Sequence, residues 1–153
     1  MTVSLHPMPP ERTTGWIERI HLEYIEARML SGEPPEVAEA KAVASREENF
    51  PGGVPLDTHR VFDIVADGDV VGYLWLGPLP AGGDDWWVFD VEIAEAHRRR
   101  GYARAALDLA HAEAKKLGAV SIGLNVFGYN AGAKELYDSL GYAVTATQMK
   151  KVL

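Results

Sequence analysis

The stretch VFDVEIAEAHRRRGYARAA, residues 88–106, decides how this chain reads. Val88, Phe89, Val91 and Ile93 form an apolar strand. It runs through Arg98, Arg99, Arg100, Gly101, Tyr102, Ala103 and Arg104 into a helical pattern with Ala103, Ala106, Leu107 and Ala110 on one face. The first turn of any helix leaves backbone N–H groups without intrahelical partners, and the aligned peptide dipoles add partial positive charge there. A phosphate at that end meets donors that already exist. Gly101 has no Cβ, so an oxygen can approach its backbone closely, and Ala103 obstructs little more. Four arginines within residues 98–104 suit a ligand with more than one phosphate.

An isolated arginine triplet is most simply a solvated charged face. A second block changes that reading: LNVFGYNAGAKELYDSLGY, residues 124–142, gives a strand end, Asn125, an N-capping Asn130, a short helix with Ala133, Leu136 and Tyr137, and then Leu140-Gly141-Tyr142. Arg98-x-x-Gly101-x-Ala103 after an apolar strand resembles the acetyl-CoA signature of the GNAT family of N-acetyltransferases. The second block is similar to that family's strand, asparagine and short helix with Leu-Tyr, in the same order. The resemblance covers residues 86–153 well and the N-terminal half only through its order of elements.

Length and composition agree with one domain over residues 1–153: 47% of the residues are hydrophobic and 24% charged, enough to bury a sizeable core. No run approaches the roughly 18 apolar residues of a membrane span, and residues 1–10 lack the basic start of a secretion signal. With no cysteine there is no thiolate metal site, disulfide or cysteine nucleophile, and a cytoplasmic location is expected. A net charge of −7 argues against nonspecific nucleic-acid binding and leaves the arginine cluster as a local exception.

Taken in order, residues 2–8 suit a short edge strand stopped by Pro9-Pro10. Ile17, Ile20, Tyr24 and Ala27 recur at helical spacing from an N-cap at Thr13 or Thr14 to about Leu30. A second helix opens after Pro34-Pro35 and ends near Asn49. Residues 59–66 and 70–76 pair through Asp67-Gly68-Asp69 as an antiparallel hairpin. Trp86 begins the central strand, a helix spans residues 103–117, and residues 119–126 form a strand parallel to the central one. A helix over residues 131–140 is followed by final strand material in residues 142–153. The sum is an α/β (α+β) chain: a mixed, mostly antiparallel sheet with helices on both faces. The resemblance implies the acyl-CoA N-acyltransferase (GNAT) fold.

It also implies acetyl-CoA as cosubstrate and direct transfer of its acetyl group to a primary amine, an acyltransferase reaction of class EC 2.3.1. The diphosphate would lie on the amides from about Arg99 to Arg104, with Arg98, Arg99 or Arg104 side chains adding charge-assisted bonds. The pantetheine arm would lie along Val91 and Ile93, where a backbone N–H serves the family as oxyanion donor. Asn125, Asn130 and Ala133 would flank the cofactor. Tyr137 matches the family's proton donor to the departing thiolate, although it also falls in register with Ala133 and Leu140 as a core aromatic.

An alkylammonium must lose a proton before it can attack. Strand parity sets Asp90 and Glu92 on the face opposite Phe89, Val91 and Ile93. Glu92 is the first choice for the base, Asp90 the second, a water chain the alternative; both carboxylates are also ordinary polar-face residues. Acidic residues near the cleft favour a cationic acceptor. The five histidines show no ligand spacing, so no metal is expected. Family members are often dimers. A noncatalytic acyl-CoA-binding or regulatory module of the same fold is the alternative function.

Overall fold

A computed structural model describes residues 2–153. Its elements in chain order are β1 (Val3–Pro7), α1 (Pro10–Leu30), α2 (Pro35–Asn49), β2 (Arg60–Ala66), β3 (Asp69–Pro78), β4 (Asp85–Ile93), α3 (Tyr102–Lys116), β5 (Ser121–Leu124) and α4 (Ala131–Ser139), with single 3-10 turns at Pro51–Gly53 and Glu95–His97. The five strands form one sheet in sequence order. β1 through β4 are antiparallel, and β5 runs parallel to β4, joined to it by the α3 crossover.

Alternation along β3 divides the interior between the two sheet faces. Leu74 and Leu76 point to one face, where they pack with Ile64, Val88 and Ile93 against Ala106, Leu107 and Ala110 of α3. Tyr73 and Trp75 point to the other, against Trp16, Ile17 and Ile20 of α1. The periods of 2 and 3.6 in the sequence are these two contact surfaces.

Three expectations need correction. The first helix begins at Pro10, not at Thr13 or Thr14: Pro9 is extended, Pro10 takes the first helical position its ring suits, and buried Thr13 donates its Oγ1–H to the Pro9 carbonyl at 3.1 Å. Residues 142–153 pair with no strand among the described residues; Val144, Met149 and Val152 are exposed, and β5 itself is confined to four residues. The third lies in β4. Trp75 faces Asp90 and Leu76 faces Val88, so Phe89 is an extra residue, a β-bulge. The bulge breaks the parity: Val91 and Ile93 join the α3 face as expected, but Phe89 packs on the α1 face beside Trp75.

Candidate active site

β5 accompanies β4 only from Asp85↔Ser121 to Val88↔Leu124. Beyond Val88 the β4 edge, residues 89–93, has no strand beside it on that side among the described residues, and the bulge at Phe89 sits where β5 leaves. An extra residue bends and twists its strand, and the stretch of β4 beyond its pairing with β5 runs on to the turn before α3.

In that turn Arg99 and Gly101 take positive φ of 62° and 80° on either side of Arg100, and Gly101 caps α3. Such alternation turns successive N–H groups toward one concave side. The amides of residues 99–104 donate to no protein acceptor among the described residues, so the end of α3 is an unfilled anion cradle. The arginines divide. Arg98 is tied back, its Nε–H donating to the Ile93 carbonyl at 2.8 Å, and Arg104 reaches Ser139 on α4. Arg99 and Arg100 are exposed and hold no ion pair or side-chain hydrogen bond among the described residues.

On the α1 face a cleft of about 440 Å³ lies between α1 and the β3–β4 pair, lined by Trp16, Arg19, Gly72, Tyr73 and Glu92 among others. Tyr73 faces Glu92 across the ladder, and its hydroxyl donates to Asp90 Oδ2 at 2.7 Å with Glu92 Oε2 at 3.3 Å. Both carboxylates predicted as bases therefore meet at one phenol. Burial pushes Asp90 up to about 6, opposed by the Tyr73 hydrogen bond and aided by the Glu92 charge. Tyr73 is held well above the usual phenol range by burial and then by Asp90, so it remains a donor. Glu23 of α1 is raised by burial first and by Glu92 next.

The cations of the cleft are already engaged. Arg12 pairs at 2.5 Å with buried Asp63, while Arg19 sits 3.5 Å from Glu23 and lies over the Tyr73 ring at 5.1 Å. Asp90 and Glu92 therefore share the Tyr73 phenol, and the Arg19 charge reaches Asp90 only as the least of the influences on it.

Tyr137, on α4, is half-buried and packs edge-on against Tyr142 at 5.8 Å. Tyr142 is in turn held by His111, 2.6 Å from its hydroxyl. Burial raises Tyr137 above the usual phenol range and the Asp90 charge adds to it. Asn130 caps α4 by accepting from the Ala133 amide at 3.2 Å, which commits that N–H, while its own amide nitrogen holds no partner among the described residues. Asn125 is exposed just past β5.

A model of the acetyltransferase (GNAT) family matches residues 25–142. The chain belongs to the GNAT acetyltransferase family. The Bacillus subtilis protein named uncharacterized N-acetyltransferase YycN is 28% identical over the full length of both chains, and uncharacterized N-acetyltransferase YdgE of the same organism is 33% identical over 74% of this chain and 73% of its own. The crystal structure of YycN superposes with a TM-score of 0.89 at 27% identity, covering 99% of each chain. This GNAT chain therefore shares its whole architecture with YycN.

Tyr73, Arg19 and Glu23 were not identified from sequence. In the sequence Arg19 and Glu23 fall off the apolar face of the first helix, and Tyr73 falls within the β-branched and aromatic run of residues 70–76. The one usable signal is local alternation, which sets Tyr73 and Trp75 opposite Leu74 and Leu76; counting from the Asp67-Gly68 turn fails because Val71 is an extra residue with no partner on β2, and the β4 partner of Tyr73 depends on a second bulge, at Phe89.

Proposed function

We propose that this chain is an N-acetyltransferase that passes the acetyl group of acetyl-CoA directly to a primary amine within a ternary complex. The observation that carries the reading is the set of unpaired amides at residues 99–104, continuous with the vacated edge of β4. The diphosphate takes those amides, with Arg99 and Arg100 free to add charge-assisted bonds. The pantetheine amides follow β4 along Val91 and Ile93, and a backbone N–H there receives the negative charge that develops on the thioester oxygen. Acetyl-CoA supplies the activated acyl group.

The amine enters from the cleft under α1. Glu92, which lines it, takes the ammonium proton, and Asp90 shares the load through the Tyr73 hydroxyl. The nitrogen lone pair then forms the C–N bond, the C–S bond breaks as Tyr137 gives its proton to the departing sulfur, and the second N–H proton lost by the former amine restores Tyr137 through solvent. A phenol kept protonated by burial suits that last step. No covalent enzyme intermediate is needed, in keeping with a chain that has no cysteine. The negative charge left at Asp90 and Glu92 favours a cationic acceptor. The same reading takes residues 1–153 as one acetyltransferase domain acting in the cytoplasm; among the described residues no helix is long and apolar enough to cross a membrane.

The test is thiol release from acetyl-CoA with a panel of aliphatic, polycationic and peptide amines. Turnover with at least one amine supports the proposal. Saturable CoA binding with no turnover across the panel assigns the chain instead to the noncatalytic acyl-CoA-binding class, and absence of CoA binding removes both.

A further inference from the structure

His59 has no place in the chemistry above, yet few polar side chains are set so firmly. It is 7% exposed and lies one residue before β2. Its backbone N–H donates to the Leu56 carbonyl at 2.9 Å, and its Nδ1 receives the indole N–H of Trp75 at 2.9 Å. An indole N–H only donates, so Nδ1 is the acceptor and the neutral ring carries its proton on Nε2. Burial lowers the His59 pKa, which keeps the ring neutral and the acceptor available.

The third member is the bulge. Phe89 stacks on His59 at 4.8 Å and on Trp75 at 4.6 Å, with interplanar angles of 27° and 20°. Gly77 makes room for this group: a Cβ there would lie 2.4 Å from His59 Cδ2. Phe89 has no residue opposite it on β3, and β5 departs at its neighbour Val88. Its backbone therefore lacks the cross-strand pairing that sets the rest of β4, and the two rings gripping its side chain take over that task. Trp75 also faces Asp90, so the grip extends to the next residue of the site.

We propose that His59 is a positioning residue, which through a His59–Trp75–Phe89 clamp holds the β4 bulge and thereby the backbone that receives the thioester. The inference rests on the acetyltransferase reading. It assigns His59 no contact with either substrate.

Two substitutions separate its parts: His59→Phe keeps a ring against Phe89 but loses the acceptor for Trp75, whereas His59→Asn keeps an acceptor and loses the stack. Each folded variant is compared with wild type for turnover at saturating acetyl-CoA, for CoA affinity, and for backbone amide resonances. Turnover falls roughly tenfold to a hundredfold, as expected of misplaced reacting groups. The CoA dissociation constant changes less than turnover does, by at most about tenfold, because the diphosphate cradle at residues 99–104 is elsewhere and only the pantetheine contacts on β4 are disturbed. Amide resonances of residues 89–93 move while those of 99–104 stay. Should either variant fail to fold, Gly77→Ala crowds the same ring without deleting it, and the same pattern is expected. Unchanged turnover in a folded variant, or resonances of residues 89–93 that do not move, overturns the clamp. A wild-type protein with no turnover defeats the acetyltransferase reading instead, and the clamp then stands or falls on the amide resonances.

Discussion

The Tyr73 hydroxyl lies 2.7 Å from Asp90 Oδ2, on a sheet face where the nearby Arg12 and Arg19 pair with other carboxylates, Asp63 and Glu23. Burial pushes Asp90 up to about 6 from an ordinary value of 3.8, against the pull of the Tyr73 hydrogen bond. A carboxyl raised on folding binds more protons folded than unfolded between about pH 4 and 6, so its contribution to stability is lost as pH climbs through that window. Asp90→Asn removes the charge while keeping an acceptor for Tyr73. Thermal melts should show the variant more stable than wild type at pH 8, by of order 1–3 kcal/mol, with the gap closing toward pH 4. A constant gap across that range would detach Asp90 from the effect.

The same ionisation predicts the acid limb of the reaction. With Asp90 and Glu92 sharing the amine's proton, kcat/KM should rise as pH passes through about 6 and the rise should be lost or displaced in Asp90→Asn. Initial-rate profiles between pH 5 and 9 check this.

Tyr137→Phe removes a proton donor and no cofactor contact beyond its hydroxyl. Turnover should drop by roughly a hundredfold with CoA affinity unchanged. Equal loss in turnover and CoA affinity would make Tyr137 a binding or packing residue, the reading its register with Ala133 and Leu140 also allows.

Arg99 and Arg100 are the two cluster arginines without protein partners among the described residues. The double change Arg99→Gln with Arg100→Gln should weaken CoA binding about tenfold, or ~1.4 kcal/mol, flatten its salt dependence and leave the melting temperature of the free protein unchanged. Titration calorimetry at two salt concentrations measures all but the last.

Gly72 faces Ile93 in the ladder, and a Cβ there would lie 2.0 Å from the Glu92 carbonyl oxygen. Gly72→Ala must push β3 and β4 apart at the proposed base. A loss of about 1–3 kcal/mol in stability, with reduced turnover in whatever fraction folds, is expected from chemical denaturation and rate measurements on one preparation.

The order of elements was legible because the signals were local: Asp67-Gly68 for the hairpin, Pro34-Pro35 for the start of α2, Gly118 after α3, and alternation in β3. What escaped was non-local. The bulge at Phe89 has no glycine to announce it, so strand parity put Phe89 on the wrong face even as it put Asp90 and Glu92 together. The first helix starts at Pro10 because a proline that stops a strand also suits a helix start, and a sequence reading weighed only the first role. Val144 and Val152 looked like strand residues, yet they pair with nothing in the described structure. The cofactor turn was readable from Gly101 and its arginines; the residues of the cleft under α1 were not, since Tyr73, Arg19 and Glu23 meet only after α1 folds across the sheet.

The most direct measurement is a titration of isotopically labelled protein with CoA, following individual backbone amides. The N–H resonances of residues 99–104 should shift together and saturably as they gain phosphate acceptors, with those of residues 91–93 shifting in the same titration as the pantetheine arm docks. Binding that leaves residues 99–104 unmoved, or no binding at all, would contradict the assignment of the helix start as the diphosphate site.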